Sequence, residues 1–381
     1  MIVDELRIVG STQTNVVMAA ELVRVARRAL NLRPPEPRKE GLGQLVYPFD
    51  RELARVAVTY MRTPTRVVWD VYRSRADRLE PLYDELVADI VADRRELLRD
   101  RDGISVEARN VGEFAAGERQ VVGTVKNALI DAAAKRRIRL HVDPERAEQR
   151  WVARRSDNGE MTISLDLGGG SLSQRGWRRD AGDAPLREHL AAVLLMLCRF
   201  DPRNDALVDP MCGAGTIPIE AVLAARGAPR ATRMFGKDAQ PLWADASPLV
   251  VGCDLDLGVL AAARDNARAA KIGDAITWQR CDIADLRPDT IHQIALERGR
   301  EPQTGVLVAN PPYGERLDPA DLEVVYAAMA ETMRRFRGWR AGFLVGNPLL
   351  ERIFDHVVGR PRIKKPLANA NLRAYFYLYE L

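Results

Sequence analysis

The stretch that decides the fold runs Ala206-Leu-Val-Asp-Pro-Met-Cys-Gly-Ala-Gly-Thr-Ile-Pro-Ile-Glu220, from a strand-like apolar run into a turn and a helical pattern. Gly213 and Gly215 permit a tight turn and a close approach of the backbone to a ligand. A dinucleotide fingerprint would require glycine where Pro218 stands, and a P-loop would require GK[ST], which is absent. The turn therefore predicts either a ligand site of another kind or a bare strand-to-helix turn.

Acidic residues follow the next two predicted strands and favour the ligand site. The run Leu249–Asp254 ends in an acid, at the place where a carboxylate holds a ribose diol. Asp282 follows the strand predicted at 276–280 and would lie at the same sheet edge. The interval from Gly215 to Asp254 is longer than in a dinucleotide fold, and we interpret residues 230–248 as an inserted loop.

Short apolar runs alternate with helical patterns from about residue 203 onward, which is typical of a parallel α/β sheet. In this half we predict strands at 206–209, 249–254, 276–280, 306–310, 341–345 and 375–381, and helices at 218–226, 257–270 and 321–335. The N-terminal half has a mixed α+β pattern. There we predict strands at 66–72, 103–108 and 161–167, and helices at 79–99 and 120–134. No opening strand or helix is evident in the first sixty residues.

Composition excludes several classes of protein. The chain has 381 residues, of which 46% are hydrophobic and 29% charged, so collagen-like, disulfide-scaffold and disordered classes are excluded. The longest apolar run, 190–197, is far shorter than the roughly twenty residues of a membrane span. The four cysteines have no CxxC spacing and no histidine cluster beside them. We therefore expect a cytoplasmic protein with reduced thiols, no metal site and no membrane partner.

Positive charge is concentrated in one segment. Between Lys135 and Arg155 there are eight basic residues and three acidic ones, although the net charge of the chain is only +4. Further arginines and two tryptophans lie within or just beyond this segment: Trp151, Arg175, Trp177, Arg178 and Arg179. Such a cluster is either the footprint of a phosphate backbone or a solvated surface, and charge alone leaves both open.

The segment Asn310-Pro-Pro-Tyr-Gly314 follows the strand predicted at 306–310. Two consecutive prolines fix φ and remove two backbone donors, which leaves hydrogen-bond acceptors at the strand end. The Asn310 side-chain oxygen and a backbone carbonyl could hold an exocyclic amine, while the ring that carries the amine stacks on Tyr313. The nitrogen lone pair would then point at an electrophile. These residue types therefore favour amine chemistry.

At these residues the chain resembles a known family. An Asn-Pro-Pro-Tyr motif after a D-x-x-x-G-x-G turn is similar to class I S-adenosylmethionine-dependent amino-methyltransferases. The fuller strings DPMCGAGTIPIEA, NPPYGERL and QRGWR…APLREHLAA resemble the THUMP-domain guanine-N2 RNA methyltransferases. The resemblance covers roughly residue 66 to the C-terminus. It implies a Rossmann-like α/β domain of seven strands, preceded by an α+β THUMP-like RNA-binding region.

The resemblance and the composition together predict three segments. Residues 1–65 would form a divergent N-terminal module, ferredoxin-like together with part of the next segment. Residues 66–170 would form the THUMP-like RNA-binding domain, and residues 171–381 the Rossmann-like methyltransferase domain. The stretch 168–185, rich in glycine and arginine, is the predicted boundary.

The resemblance also implies roles for individual residues. The methionine end of the cofactor S-adenosylmethionine would be lined by Asp209, Cys212, Gly213, Gly215 and Thr216. Asp254 would hold the ribose and Asp282 the adenine amino group, while Arg187 and Glu188 pack over the cofactor. The base would be presented by the catalytic residues Asn310, Pro311, Pro312 and Tyr313. RNA would be contacted by Lys126, Lys135, Arg136, Arg137, Arg139, Arg154 and Arg155.

The implied reaction is methyl transfer to the exocyclic N2 amine of a guanine in structured RNA, either ribosomal or transfer RNA. Amine methylation is a direct displacement in which positioning supplies much of the rate, so Cys212 need not be a nucleophile. His189 has no partner motif, and we expect a structural role for it. The alternatives are methylation of adenine N6 in DNA or RNA and a non-catalytic RNA-binding protein. The α+β region favours RNA over DNA, and the intact Asp254, Asn310 and Tyr313 favour an enzyme.

Overall fold

Two sheets organise the chain. The computed structural model describes residues 1–93, 97–112, 114, 117–179, 186–232, 234–302, 304–312, 318–369 and 372–381. The strands of the first sheet are β1 (Ile2–Val9), β2 (Arg38–Lys39), β3 (Gln44–Pro48), β4 (Arg66–Ser74), β5 (Gly103–Arg109), β6 (His141–Val142), β7 (Gln149–Arg155) and β8 (Met161–Asp166). Its helices are α1 (Asn15–Leu30), α2 (Arg51–Tyr60), α3 (Leu79–Asp93) and α4 (Glu118–Lys135).

The second sheet contains the sequence motifs. Its strands are β9 (Asp205–Asp209), β10 (Leu249–Asp254), β11 (Thr277–Arg280), β12 (Thr304–Ala309), β13 (Arg340–Val345), β14 (Ile363–Asn369) and β15 (Leu372–Glu380). Its helices are α5 (Glu188–Leu197), α6 (Thr216–Arg226), α7 (Leu257–Ala269), α8 (Pro288–Glu297), α9 (Pro319–Met333) and α10 (Leu349–Val357). The predicted α/β class with a seven-stranded sheet is confirmed.

Strand order in the second sheet predicts a ligand crevice beside β9. The order is β11-β10-β9-β12-β13-β15-β14, in which β9 to β13 are parallel and β15 runs antiparallel to β13. The chain moves outward from β9 through β10 to β11, then returns to the other side of β9 with β12. Open α/β sheets bind ligands at such a reversal, outside the carboxyl ends of the strands.

The opening strand and helix, which the sequence pattern did not reveal, are present as β1 and α1. Charged residues at buried positions conceal them. Arg7 of β1 is 1% exposed, and its guanidinium lies 2.6 Å from the buried Asp70 carboxylate. Glu21 of α1 is equally buried. Because both charges stand at core positions, neither element shows a regular apolar pattern.

The first sheet has the order β2-β3-β1-β4-β8-β7-β5-β6. Strand β1 pairs with β3 on one side and with β4 on the other. The segments predicted as 1–65 and 66–170 therefore contribute strands to one sheet, and the boundaries between the three segments stay predictions. No helix among the described residues is long and apolar enough to span a bilayer.

A buried charge cluster joins the two halves of the chain. Glu220 of α6 accepts hydrogen bonds from Arg62 at 2.8 and 2.9 Å and from Arg175 at 3.3 Å. The backbone N–H groups of Arg62 and Thr63 donate to Glu21 at 2.9 Å. Burial by itself raises the pKa of Glu220, but the two guanidinium groups outweigh it and lower that pKa to about 2. The helix that follows the glycine turn is thus anchored to the N-terminal half by charge.

The same cluster corrects part of the basic footprint suggested by the sequence. Arg175, whose side chain is 4% exposed, belongs to the interior. Trp151 and Trp177 are 1% and 3% exposed, so neither offers a ring to a nucleic acid. The two tryptophans therefore belong to the packed interior, and Arg175 belongs to the internal ion pairs.

His189 has the structural role that its lack of a partner motif predicted. Its ring nitrogens lie 2.9 Å from the hydroxyls of Ser11 and Ser173, so it bridges the N-terminal region and α5. Burial, together with the Arg175 and Arg187 charges, lowers the pKa of His189 to about 3.

This histidine makes the stability depend on pH. Its pKa is lower in the folded chain than in the unfolded one, where it is roughly 6.5. Its contribution is therefore complete above about pH 6.5 and is lost as the pH falls toward 3. We expect His189→Gln to reduce the fall in melting temperature between pH 7 and pH 5, measured by circular dichroism. The exposed His292, replaced in the same way, is the control, and an equal fall in both variants would contradict this assignment.

Candidate active site

Three predicted site residues meet at one edge of the second sheet. Asp209 ends β9, Asp254 ends β10 and Asn310 follows β12 directly. In the parallel register Gly252 lies opposite Asp209, so β10 extends two residues further. This edge is the crevice at the reversal of strand order.

Backbone hydrogen bonds fix the glycine turn against β10. The N–H of Cys212 donates to the carbonyl of Cys253 at 2.8 Å, and the N–H of Gly213 donates to Oδ2 of Asp254 at 2.9 Å. Asp209, which is 1% exposed, accepts from the N–H of Met211 at 3.2 Å. Burial raises the pKa of Asp209 well above its usual value, and the nearby Asp254 adds to this effect. Asp209 therefore stabilises the turn from the buried side, through the N–H of Met211.

The two acids predicted for the ribose and the adenine differ in environment. Asp254 is half-buried, and its second oxygen accepts from the N–H of Asp256 at 3.1 Å. One backbone donor on each oxygen orients this carboxylate, and the described residues leave a lone pair free on each oxygen. Asp282 is exposed, and its side chain accepts from the N–H of Ala284 at 2.9 Å at the start of a short 3-10 helix. Both acids stand at the predicted edge.

The two glycines of the turn have opposite surroundings. Gly215 has a φ of +83°, and a Cβ there would lie 2.7 Å from the Trp278 ring and 3.1 Å from the Ala263 Cβ. Gly213 has a φ of +52°, and a Cβ there would meet no atom of the described residues within 4 Å. Gly215 is thus required for packing against the protein, whereas Gly213 faces open space beside Asp254.

Arg178, which is not among the predicted site residues, organises the start of α6. Its guanidinium donates to the Thr216 hydroxyl at 3.0 Å and to the Leu186 carbonyl at 2.7 Å. It also lies 3.3 Å from the Glu188 carboxylate, whose pKa burial raises. Arg187, by contrast, is exposed. Arg178 stands in the string QRGWR, one of the motifs that resemble the family, and this string is the sequence signal that points to it.

The thiol of Cys212 is not poised for nucleophilic chemistry. It is 6% exposed, and burial raises its pKa well above the usual range. The nearby Asp209 and Asp254 carboxyls raise it further. The thiolate is the reactive form of cysteine, so this environment favours an inert thiol.

The segment after β12 presents an unused acceptor. Oδ1 of Asn310 is buried and has no hydrogen-bond partner among the described residues. The carbonyl of Pro312 accepts from the Tyr326 hydroxyl of α9 at 2.8 Å, which fixes the proline pair and takes up one backbone acceptor. Pro311 is buried beside it. Tyr313, predicted to stack on the base, lies outside the described residues.

The predicted RNA-contacting residues fall into separate places. Lys135, Arg136, Arg137 and Arg139 end α4 or follow it, beside the start of β5, where the N–H of Arg101 donates to the Arg139 carbonyl. Arg154 and Arg155 end β7. In the register of the sheet Arg154 lies opposite Arg109, at the other end of β5. The side chain of Arg154 is 17% exposed, and the guanidinium of Arg155 lies over the Phe114 ring. Lys126 is half-buried in mid-helix.

A seven-stranded α/β sheet with this turn and an Asn-Pro-Pro segment at one edge defines the class of Rossmann-like methyltransferases. Within that class, the family described as UPF0020: RMKL-like, methyltransferase domain, matches residues 175–371, just over half of the chain. The chain belongs to this family.

A curated relative is similar to the chain in sequence, and solved structures are similar to it in fold. The chain is 37% identical over 257 residues to the Ribosomal RNA large subunit methyltransferase K/L of Syntrophotalea carbinolica, covering 60% of this chain and 34% of that protein. It thus spans about a third of the length of that curated relative. Crystal structures of similar fold include SMU.472 complexed with SAH, with a TM-score of 0.79 and 22% identity, covering 100% of this chain and 98% of that one. Another is a "predicted N6-adenine-specific DNA methylase" from Listeria monocytogenes, with a TM-score of 0.77, 25% identity and coverage of 99% and 96%.

Proposed function

We propose that this chain transfers a methyl group from S-adenosylmethionine to the exocyclic N2 amine of a guanine in structured RNA. The observation that carries the proposal is the buried Oδ1 of Asn310, which has no hydrogen-bond partner among the described residues. A buried acceptor without a partner costs about 1–3 kcal/mol. An amine N–H of a bound base would remove that cost, so the site favours a substrate that donates there.

The residues at the edge fit S-adenosylmethionine. The carboxylate of Asp254 is oriented by two backbone N–H groups and has free lone pairs for a ribose diol. Open space in front of Gly213 leaves room for a ligand against the turn. When bound, this cofactor would supply a methyl group made electrophilic by a sulfonium: the sulfur–methyl bond would break as the nitrogen–methyl bond forms, S-adenosylhomocysteine would leave, and one amine proton would pass to solvent.

The chain contributes positioning to the reaction. Asn310 would accept one amine hydrogen and so direct the nitrogen lone pair, while the prolines, fixed through Tyr326, hold the segment still. Orientation of this kind supplies a large part of the rate of a bimolecular displacement. The protonated thiol of Cys212 takes no part.

RNA is the favoured substrate because the curated relative is named for large-subunit ribosomal RNA. We propose that the first sheet, in the segments 1–65 and 66–170, binds this RNA and that residues 171–381 catalyse the transfer. Methylation of adenine N6 is the second candidate, favoured by the description of the Listeria protein. The exocyclic amines of both bases suit an Asn310 acceptor.

A transfer assay tests the proposal. The chain is incubated with S-adenosylmethionine tritiated in its methyl group and unmodified total RNA, which is then sized and digested to nucleosides. We expect label in N2-methylguanosine, and the size class will distinguish ribosomal from transfer RNA. Label in N6-methyladenosine would establish the second candidate instead. Cofactor binding with no label in any RNA would contradict both RNA assignments.

The glycine pair provides a sharper test of the cofactor position. We expect Gly215→Ala to lower stability by roughly 2–5 kcal/mol, because its Cβ would overlap the Trp278 ring and its φ is also positive. Gly213→Ala should cost only the roughly 1–2 kcal/mol of its positive φ, yet weaken S-adenosylmethionine binding at least tenfold. Melting temperature and isothermal titration calorimetry measure the two effects. Binding by Gly213→Ala equal to that of the unmodified chain would place the cofactor elsewhere.

A further inference from the structure

A basic cavity lies at the edge of the second sheet opposite the active site. It has a volume of about 380 Å³ and opens where β10 and β11 begin. Its lining includes four cationic side chains, Arg226, Lys271, Arg298 and Arg300, against the single carboxylate of Asp274. A concave surface with this imbalance of charge attracts anions.

The arginines of the cavity are held in place by neutral acceptors, and none of them forms an ion pair with a carboxylate of the described residues. Arg298 donates to the Thr277 hydroxyl at 3.1 Å and to the Asp274 backbone carbonyl at 2.7 Å. Arg226 and Arg300 donate to the carbonyls of Ala246 and Ser247. A guanidinium has five N–H donors, so each arginine keeps donors for a ligand. The site is therefore preorganised for an anion.

Lys271 is the fourth cationic side chain of the lining, and its charge is carried on a flexible stem. Its side chain is exposed, and its ammonium makes no hydrogen bond or ion pair with the described residues. An ammonium on a flexible stem adapts its position to a phosphate oxygen, whereas the fixed guanidinium groups supply geometry. The lining therefore combines an adaptable ammonium with fixed guanidinium groups, and both can donate to phosphate oxygens.

Two arginines of α1 contact the segment that adjoins the cavity. The backbone N–H of Trp243 donates to the Arg226 carbonyl at 3.0 Å, and the Arg24 guanidinium of α1 lies 5.0 Å from the centre of the Trp243 ring. Arg28 of α1 donates to the Leu242 carbonyl at 2.9 Å. Residues 242 and 243 thus lie between the cavity lining and the exposed arginines of α1, with the exposed Asp245 close behind them in the chain.

We infer that this cavity binds a backbone phosphate of the RNA substrate, at a distance from the methylated base. The inference rests on the proposed function. Strand β10 has six residues and rises roughly 3.3 Å for each, so its two ends are about 17 Å apart. A small anion in the cavity could not reach the active edge, but a folded RNA can contact both.

Two substitutions test the cavity without removing a structural contact. Lys271→Gln removes the ammonium, and Ser247→Asp adds a carboxylate at the exposed mouth while retaining the backbone carbonyl. Binding of total RNA is measured at several salt concentrations with the full chain, and methyl transfer is measured beside it. We expect the dissociation constant for RNA to rise roughly 3- to 10-fold. The slope of log binding constant against log salt concentration should become shallower by about one, the change expected for one lost phosphate contact. Binding of S-adenosylmethionine should be unchanged.

Arg337→Gln is the matched control, since Arg337 is exposed, precedes β13 at the same edge of the sheet and is not part of the cavity lining. It should bind RNA as the unmodified chain does. If the unmodified chain methylates RNA and the two cavity variants bind RNA with unchanged affinity and salt slope, the cavity assignment is wrong and the proposed function stands. If the variants lose only binding of inorganic pyrophosphate, the cavity is a small-anion site and the RNA assignment is overturned. Failure of the unmodified chain to bind any RNA would refute the proposed function itself.

Discussion

Replacement of Asn310 by alanine is expected to lower kcat for methyl transfer by at least roughly 10²–10³-fold, while the chain still folds and binds S-adenosylmethionine. The reason is the position of Oδ1, which is buried at the end of β12 and unpartnered among the described residues. In the proposed complex it receives an amine hydrogen of the base and touches no part of the cofactor. Tritium transfer and calorimetric cofactor binding measure the two properties separately.

Asn347 provides the control for this prediction. It follows β13 at the same edge of the sheet, but its side-chain oxygen already accepts from the N–H of Leu349 at 2.9 Å. Asn347→Ala should therefore lose about 1 kcal/mol of stability, as for a helix cap, and keep its transfer rate. Asn310→Asp retains an acceptor and should be more active than Asn310→Ala. Full turnover by Asn310→Ala would exclude the assigned role.

Replacement of Glu220 by glutamine is expected to destabilise the chain by about 3–5 kcal/mol, because it leaves the buried guanidinium groups of Arg62 and Arg175 without their carboxylate. The folded pKa of about 2 lies below the value of roughly 4.5 in the unfolded chain. The stabilisation is therefore present above about pH 4.5 and is lost as the pH falls toward 2. Urea denaturation at pH 7 and at pH 4 measures both effects.

The exposed pair of Glu331 and Arg334 on α9 is the matched control. Their charged atoms lie 3.3 Å apart, but both side chains are more than half exposed. Glu331→Gln should change stability by no more than roughly 1 kcal/mol. If Glu220→Gln and Glu331→Gln unfold at the same urea concentration, the buried cluster contributes no net stability.

Local patterns predicted the second sheet well. The bounds of β10 agree with the predicted 249–254, and the turn residues and Asn310 stand at the expected edge. These features depend on apolar runs and on turn residues that are neighbours in the chain, so a single sequence contains the information. The predicted roles of the site residues remain proposals.

Features that depend on distant partners were not predictable in the same way. Arg62 and Glu220 are 158 residues apart, and nothing in either neighbourhood indicates that one charge neutralises the other. Buried Arg7 and Glu21 concealed β1 and α1 for the same reason. The basic segment shows the converse, because Lys135 and Arg154 are close in sequence but lie at different ends of β5.

The charge cluster around Glu220 has a consequence for how the molecule unfolds. Separation of the two sheets would expose Arg62, Arg175 and Glu220 together, so opening one half removes the counter-charges of the other. Heating should therefore produce one cooperative transition for both sheets instead of two. A ligand that binds the glycine turn stabilises the folded state by mass action. Through this cluster it would also protect the N-terminal sheet from proteolysis, although it touches no residue there.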